Sequence, residues 1–575
     1  MVVVLNMNQD ALWKSIALNK YYFLPAILCV IACVIAIENI ALVIYWHMPV
    51  PFSDEWDEFP RLIALHNGGV RDSLAFMWEQ HNEHRIVIPK IIYLIDMTFF
   101  KYQGYFPIIC IFLLQAMVVG MLSWLFVGKA RKSPESLWFV GLTIISAFNL
   151  VQWENFASTF QTSFVGCFAF SVTAFVLYAK YAITNRNLYF LGAVLTAMLA
   201  SLSLASGLFV WLVLALLAYL IRGKCYVQSF AFVGTFLLLL LFYLYGYTRP
   251  EQHANPVDSL IYHPLLVLNY LTIWMGNVSK TIASANLLGT IALFVVLVIT
   301  IYSINDKNRN HRIEIYTLLG ICLFILITGF ITALGRINFG VAQAMSSRYG
   351  TPVLILWVSL LGMLLLFALE SKRVLYVRSI IGLILIIFIG LAIRNHQKEA
   401  DLTIFQNEQI EAYLAIVVGG YKEQPELLRH IYPVPNSIFD KIDLLKSQKI
   451  SSFYGSDRNP FSIGTMFPLS GMQQTNDCKG HIDAVKSVGE NTYQVTGWAW
   501  NESLSFYPEW IFLVQSGKVI GFGKQGIPRP DVLAALPLIN KMRVGWQGVA
   551  RDTGGIGLDN IEAYIFTQYG KYCRL

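Results

Sequence analysis

Long apolar stretches alternate with short polar connections over the first two thirds of the chain, and this pattern ends near Ile393. A helix needs about 20 apolar residues to cross the hydrocarbon core of a bilayer, so each long stretch predicts a membrane-spanning helix. The pattern predicts about eleven spans, several of them shorter than this length. The predicted spans are 21–46, 105–127, 137–152, 162–180, 188–203, 206–221, 226–246, 282–303, 315–334, 351–369 and 379–393.

A different pattern follows the last span. Residues 395–475 predict partly polar helices, and from Cys478 onwards short runs such as Tyr493–Trp500 alternate between apolar and polar residues. Alternation with a period of two predicts β-strands, and several such strands separated by turns predict a small β-sandwich. The sequence therefore predicts an α-helical polytopic membrane domain at 1–394, a helical linker region at 395–475 and a β-sandwich at 476–575.

The composition agrees with a membrane protein. Hydrophobic residues make up 56% of the 575 residues and charged residues only 13%, so the chain is more apolar than ordinary soluble domains. The net charge of +7 is small for this length and comes partly from short connections between spans. We interpret it as a sign of membrane topology rather than of nucleic-acid binding.

The basic residues favour one orientation, because cytoplasmic connections carry an excess of lysine and arginine. A cytoplasmic N-terminus, with Lys14 and Lys20, places five basic connections on the same side. An odd number of spans then leaves all residues after Ile393 outside, which predicts a bacterial inner-membrane protein with a periplasmic C-terminal domain. The basic residues of the five connections are Lys129, Arg131, Lys132, Lys180, Arg186, Arg222, Lys224, Lys307, Arg309, Arg312, Lys372, Arg373 and Arg378.

Two of the eight cysteines, Cys478 and Cys573, enclose the predicted β domain. Their positions predict one disulfide, which requires an oxidising compartment and agrees with a periplasmic location. The other six lie in or beside apolar segments, where a cysteine usually fills the core. These six are Cys29, Cys33, Cys110, Cys167, Cys225 and Cys322.

An acidic cluster follows the first span, within a long outer loop at 47–104. Asp54, Glu55, Asp57 and Glu58 place four carboxylates between Phe52 and Phe59. Carboxylates there can act as a general base towards a hydroxyl, or hold a divalent cation such as Mg²⁺ or Mn²⁺ on Asp54 and Asp57. The alternative is a plain helix N-terminus, where each acid contributes only ~0.3–1 kcal/mol through the helix dipole.

The same loop contains His81-Asn-Glu-His-Arg85, followed by Lys90. The histidine pair with Glu83 resembles a metal site only superficially, since no third ligand is fixed by the spacing. Binding of a phosphate or orientation of an acceptor by His81, His84, Arg85 and Lys90 is the functional interpretation, because arginine offers a planar fork for phosphate oxygens. Polar residues at a helix start are the alternative. The apolar stretch Ile86–Phe100 suits a helix in the plane of the membrane interface.

Positive residues near late spans also need a reason, because the outer side should carry few of them. Arg336, Arg348 and Tyr349 lie at predicted outer ends of spans, and binding of a lipid-linked phosphate explains them. Lipid headgroup contact by long side chains is the alternative. Gln152-Trp-Glu-Asn155 and Gln161 form a further polar segment on that side, as a weaker signal for the same cavity.

Two other features, one polar and one aromatic, can be explained by packing within the protein as well as by a functional role. Glu38-Asn39 lies inside the first span and needs a partner within the helix bundle, for which structure and function are equally good explanations. Trp498 and Trp500 could stack on sugar rings, but tryptophans of a β-sandwich are usually buried, so core packing is favoured.

Together these features resemble the GT-C superfamily of membrane glycosyltransferases, and more narrowly the bacterial serotype-converting glucosyltransferases that modify O-antigen. The resemblance covers the architecture of about residues 15–395. Its specific motifs are Ser53-Asp-Glu-Trp-Asp57, Glu83-His-Arg85 and Ser347-Arg-Tyr349. It implies that Asp54 is the catalytic base or a metal ligand with Asp57 as companion, while the choice among Asp54, Glu55 and Asp57 stays open. The C-terminal domain is not part of the shared core.

The resemblance implies a sugar donor linked to polyprenyl phosphate and a glycan acceptor such as O-antigen, within membrane lipids. Asp54 would remove the acceptor proton as the anomeric centre inverts, while Arg85, Arg336 or Arg348 would stabilise the departing phosphate. This predicts that acids and arginines converge on one periplasmic pocket. An oligosaccharide ligase or polymerase is the first alternative. A lipid-linked sugar transporter is the second, although no internal repeat is visible.

Overall fold

The computed structural model describes residues 9–68, 75–130, 134–222, 226–250, 254–305, 311–371, 373–422, 424–454, 463–467, 473–501, 510–536, 539, 543–552, 561–567 and 571–575. Most of the chain is α-helical, and the last 100 or so residues are rich in β-strands. The helices are α1 (Gln9–Trp46), α2 (Glu55–Asn67), α3 (Val87–Phe100), α4 (Tyr105–Ala130), α5 (Pro134–Ala147), α6 (Trp153–Ala157), α7 (Thr162–Thr184), α8 (Asn187–Ser201), α9 (Val210–Ile221), α10 (Tyr226–Leu244), α11 (Pro256–Tyr262), α12 (Pro264–Met275), α13 (Ile282–Asn305), α14 (Arg312–Arg336), α15 (Gly350–Glu370), α16 (Val374–Val418), α17 (Phe439–Gln448) and α18 (Pro530–Ala535).

Nine helical segments within the described residues are long and apolar enough to cross a membrane. Two of the eleven predicted spans, 188–203 and 206–221, instead fall in the shorter apolar helices Asn187–Ser201 and Ala205–Ile221. Of the basic residues used to predict the orientation, Arg131, Lys132, Lys224, Lys307, Arg309 and Lys372 lie outside the described residues. The nine segments are Tyr21–Trp46, Tyr105–Val127, Pro134–Ala157, Thr159–Thr184, Tyr226–Leu244, Ile282–Ile304, Arg312–Phe339, Ser347–Glu370 and Val374–Val418.

The chain packs as two compact units. The first consists of residues 1–43, 73–91 and 108–399, and the second of residues 44–72, 92–107 and 400–575. Residues 395–399 of the predicted linker region fall in the first unit, and residues 400–475 fall in the second. The predicted outer loop at 47–104, hereafter the first loop, is divided between the two units.

Small residues allow close helix packing in the first unit. A Cβ atom at Gly276, at the end of α12, would lie only 1.9 Å from the carbonyl oxygen of Ala285 in α13. A Cβ atom at Gly289 in α13 would lie 1.7 Å from the carbonyl oxygen of Thr272 in α12. Because membrane helices gain stability from close contact, glycine at both positions lets the two backbones meet.

A cluster of hydrogen bonds inside the first unit provides the partner that Asn39 is predicted to need. The Asn39 side chain donates to the Asn395 side chain and to the Phe148 carbonyl, each at 2.8 Å. The Asn395 side chain in turn accepts from the Leu150 backbone at 2.8 Å. These bonds join α1, α16 and the turn after α5, because polar groups in a bilayer must find partners within the protein.

The β-strands of the second unit form one sheet, which corrects the predicted sandwich of two sheets. The order is β1-β8-β7-β4-β5-β6-β3-β2, with β1 and β8 parallel and all other neighbours antiparallel. Alternation along a strand reports which residues face the core, and it is the same for stacked and curled sheets. The strands are β1 (Gln473–Gln474), β2 (Cys478–Ser487), β3 (Thr492–Asn501), β4 (Trp510–Gln515), β5 (Lys518–Ile527), β6 (Gly545–Arg551), β7 (Glu562–Thr567) and β8 (Lys571–Arg574).

The sheet curls into a half-barrel, and the predicted disulfide is present at its seam. Cys478 on the edge strand β2 is bonded to Cys573 on β8, with their Cα atoms 6.0 Å apart. Since β2 and β8 lie near opposite ends of the strand order, the sheet must bend round on itself to bring them together. Trp500 is buried beside Val532 and Val544 and Trp498 packs against them, which is core packing.

Candidate functional site

Arg348 lies in a tight turn between two long helices of the first unit. After α14 ends at Arg336, the chain makes three short 3-10 turns, the last of them at Ser347–Tyr349, before α15 begins at Gly350. We call residues 346–351 the arginine turn. Arg348 thereby stands at the start of the apolar segment Ser347–Glu370, with its side chain 33% exposed.

The polar segment around α6 holds the backbone of the arginine turn. The Asn155 side chain is fully buried and donates to the Arg348 carbonyl and to the Thr351 hydroxyl, both at 2.8 Å. Gly350 leaves no room for a side chain, because its Cβ atom would lie 2.8 Å from the Cβ atom of Gln152. The turns that follow α5 and α14 therefore meet at one end of the bundle.

Glu154 faces the Arg348 side chain. One oxygen, Oε2, accepts from the hydroxyls of Ser346 at 3.2 Å and Ser347 at 3.1 Å. The other, Oε1, is 3.9 Å from Arg348 Nε, which is an ion pair without a hydrogen bond. The guanidinium also lies 5.7 Å from the Tyr349 ring, and within the described residues it donates no hydrogen bond. Its Nε atom is buried without a hydrogen-bond partner, while the side chain as a whole is one third exposed.

Arg336 lies near the same turn but is more firmly paired. Its Nη2 atom donates to Glu83 Oε1 at 3.1 Å, and this oxygen is also 3.4 Å from His84 Nε2. The Tyr270 hydroxyl donates to Gln343 Oε1 at 2.8 Å and lies within electrostatic reach of Tyr349, Arg336 and Arg348. The structure thus brings together both arginines and Tyr349 with His84 of the first loop, and it adds Glu83 and Glu154 as acidic partners.

Arg85 and Lys90, which the sequence places among the substrate-binding residues, have structural contacts. Arg85 is 5% exposed and Lys90 is fully buried. Each donates to main-chain carbonyls at or just beyond helix ends, where the oxygens lack intrahelical partners and attract cations. Arg85 donates to the carbonyls of Trp78 at 2.5 Å, Tyr245 at 2.5 Å and Tyr243 at 3.1 Å, and Lys90 to those of Phe76 and Glu79 at 3.0 Å.

The two histidines of the first loop are joined through the main chain. His81 and His84 exchange two backbone hydrogen bonds of 2.8 Å across a turn in which Asn82 has a φ of 47°. The His81 ring is nearly buried, with its centroid 5.0 Å from that of Phe160. Within the described residues, no group of three or more His, Cys, Asp or Glu side chains could hold a metal ion.

The acidic cluster belongs to the second unit, and its four carboxylates differ in their surroundings. Glu55 and Glu58, at the start of α2, are buried with exposures of 4% and 2%. Asp57 forms an ion pair with Lys441 at 2.6 Å and accepts from the Tyr432 hydroxyl at 3.1 Å. Asp54 precedes the helix, is half-buried and makes no capping hydrogen bond. Asp57 therefore ties α2 to residues 432–441.

Another buried acid of the first loop lies on α3. Asp96 is 1% exposed, and its Oδ2 accepts from the Gly104 backbone at 3.0 Å. Burial raises the pKa of Asp96 to about 6, because removal from water disfavours the charged form. Elsewhere on α3, Ile91 and Phe99 are exposed. This helix buries its charges and exposes apolar side chains, as expected for a helix at a membrane interface.

The predicted convergence of acids and arginines stays a prediction, since the acidic cluster belongs to the second unit and the arginine turn to the first. No family model matches this sequence, and no curated protein or solved structure matches it either.

Proposed function

We propose that this protein is a membrane glycosyltransferase that moves a sugar from a polyprenyl-phosphate-linked donor to a glycan or lipid-linked acceptor, with inversion. One observation carries the proposal. Arg348 stands at the end of an apolar helix, partly exposed, and its guanidinium donates no hydrogen bond to a described residue. The planar fork of a guanidinium matches two phosphate oxygens, so a lipid-linked phosphate can take the place that no protein group fills.

The surroundings of Arg348 suit a ligand that arrives from the bilayer. The Tyr349 ring lies 5.9 Å from the ring of Trp274 in α12, and both side chains are buried. Arg348 is one third exposed at the start of an apolar helix, so a phosphate attached to a lipid chain can reach it there.

We assign the site to the periplasmic side of a bacterial inner membrane. Nine spans and eleven spans are both odd numbers, so the short helices α8 and α9 do not change the side on which the chain ends. The disulfide between Cys478 and Cys573 supports an oxidising compartment for the second unit. With the N-terminus in the cytoplasm, the turns after α5 and α14 then face outwards as well.

Asp54 is the base in this proposal. The Asp57 oxygens contact Lys441 and Tyr432. Asp54, whose Oδ1 accepts from the Ser53 hydroxyl at 3.4 Å, stands before the helix at a half-buried position. The acceptor hydroxyl attacks the anomeric carbon and gives its proton to Asp54. The bond between this carbon and the phosphate oxygen breaks, and Arg348 stabilises the negative charge that develops on the phosphate.

The test is glycan transfer by cells that produce the full chain or its variants, followed by mass spectrometry of lipid-linked and surface glycans. Arg348→Ala is expected to lower transfer about 100-fold or more, as loss of one transition-state donor does in other enzymes. Arg222→Ala is the matched control, because Arg222 also stacks on a tyrosine, with 4.5 Å to the Tyr181 ring, but donates to Asn185. Normal transfer by correctly inserted Arg348→Ala protein would refute the proposal.

The same assay separates the alternatives. An oligosaccharide ligase also needs arginines but has less need for a carboxylate base. If the protein is a ligase, Asp54→Asn would therefore retain transfer of whole glycans, whereas Arg348→Ala would lose it. A transporter would move the lipid-linked sugar across the membrane without any new glycosidic bond. We expect loss of a single sugar transfer in both variants.

A further inference from the structure

Glu154 has contacts that suit a second role beside Arg348. Its Oε2 atom is held by the hydroxyls of Ser346 and Ser347, which fixes the carboxylate independently of the arginine. Its Oε1 atom faces Arg348 at 3.9 Å without a hydrogen bond. When Arg348 turns to a ligand, the negative charge of Glu154 therefore stays in place beside it.

We propose that Glu154 determines which phosphates Arg348 retains, by disfavouring a doubly charged phosphomonoester relative to a singly charged phosphodiester. This inference rests on the proposed function, because it takes the ligand of Arg348 to be a lipid-linked phosphate. Glu154 is then a specificity-determining residue that acts through its charge and does not touch the reacting carbon.

The charge of the phosphate changes during the proposed transfer. The donor is a phosphodiester with one negative charge. Once the bond to the anomeric carbon breaks, the leaving lipid phosphate is a monoester, whose second ionisation has a pKa of about 6, so it carries nearly two charges at neutral pH. A fixed carboxylate repels two charges about twice as strongly as one. Glu154 thus favours release of the product over release of the donor.

The burial of Glu154 makes this repulsion effective. Its side chain is only 20% exposed, so water screens it less than a surface carboxylate. Arg336 differs from Arg348, because its Nη2 atom donates a hydrogen bond of 3.1 Å to Glu83. Arg348 and Glu154 share no hydrogen bond, so a bound anion can interact with the charges of both residues.

The experiment measures binding of two soluble probes to the full chain in lipid nanodiscs. The probes are a short prenyl phosphate and its methyl ester, which carry two charges and one charge. Glu154→Gln is expected to strengthen binding of the phosphate about tenfold more than binding of the ester, because one repulsive charge is removed. Glu154→Met should shift the ratio in the same direction, since the cause is charge and not hydrogen bonding.

Ser346→Ala is the matched control, because it removes one contact of Glu154 but keeps its charge, and the ratio should stay as in the wild type. An unchanged ratio in both Glu154 variants, with both probes lost in Arg348→Ala, would overturn the inference and leave the proposed function standing. If the wild type binds neither probe, or Arg348→Ala binds both normally, the proposed function fails and the inference fails with it.

Discussion

Arg85 in the first loop and Arg348 in the arginine turn are both phosphate-binding candidates by sequence, yet their surroundings are opposite. Arg85 is 5% exposed and its guanidinium donates to three main-chain carbonyls within 3.1 Å. Arg348 is one third exposed, and its nearest charged partner within the described residues is 3.9 Å away. An arginine whose donors all bind the main chain holds the fold together, whereas one with open donors can bind a ligand.

The largest expected effect is the loss of stability in Arg85→Ala. Truncation leaves three carbonyls without their donor, so the free energy of unfolding should fall by about 3 kcal/mol or more. Arg348→Ala should change it by less than about 1 kcal/mol, because it removes no hydrogen bond. Unfolding of both purified variants in one detergent measures the difference. Equal unfolding midpoints would mean that the two arginines do not differ as the structure indicates.

The sequence could not separate these two arginines because their partners are distant along the chain. Hydropathy predicts the long helices, and it places Arg85 in the first loop and Arg348 near the end of a late span. The decisive contacts, however, join Arg85 to Tyr243 and Tyr245, and Glu154 to Ser346 and Ser347, across 158 to 193 positions. Periodicity and composition report local structure, so they cannot show which side chains such folding brings together.

The C-terminal domain also shows that a local sequence pattern does not determine how distant segments pack. Alternating residues in runs such as Tyr493–Trp500 correctly indicate strands, and the predicted disulfide between Cys478 and Cys573 is confirmed. The prediction of two stacked sheets was wrong, because strands near opposite ends of a single sheet are joined by this disulfide. Sheet curvature arises from the packing of distant strands, and the alternation within one strand does not record it.

The next largest effect on stability is expected at Asn155, whose hydrogen bonds hold the backbone of Arg348 in position. Asn155→Ala removes the donor to the Arg348 carbonyl and to Thr351 in a fully buried position. We expect a loss of about 2 kcal/mol in the free energy of unfolding, because the Arg348 carbonyl loses its donor. Transfer should fall about tenfold, since a misplaced guanidinium no longer matches the phosphate. Unfolding and transfer are measured on the same preparations, and unchanged transfer would show that this contact does not position Arg348.

The buried acid of the first loop should give a smaller, pH-dependent effect. The raised pKa of Asp96, about 6 in the folded protein, means that the folded state binds more protons than the unfolded state between pH 4 and pH 6. Stability from this group is therefore highest at acidic pH and is lost as the pH rises through 6. Asp96→Asn should remove this slope and raise the free energy of unfolding at pH 7.5 by about 1.5 kcal/mol. Unfolding curves between pH 4.5 and 7.5 measure it, and a parallel slope in the variant would contradict this origin.

The smallest stability effect is expected at Asp57, and it tests whether the first loop contributes one acid to structure and another to chemistry. The Asp57 side chain is 47% exposed, so its pair with Lys441 is partly screened, and Asp57→Asn should lower the free energy of unfolding by only about 0.5 kcal/mol. That loss should shrink at 0.5 M salt, because salt screens exposed charges. Asp54→Asn should leave stability unchanged within this range and still abolish transfer, whereas Asp57→Asn should retain most of it. Loss of transfer in Asp57→Asn with activity kept in Asp54→Asn would reverse the two assignments, since Lys441 and Tyr432 would then orient the catalytic base.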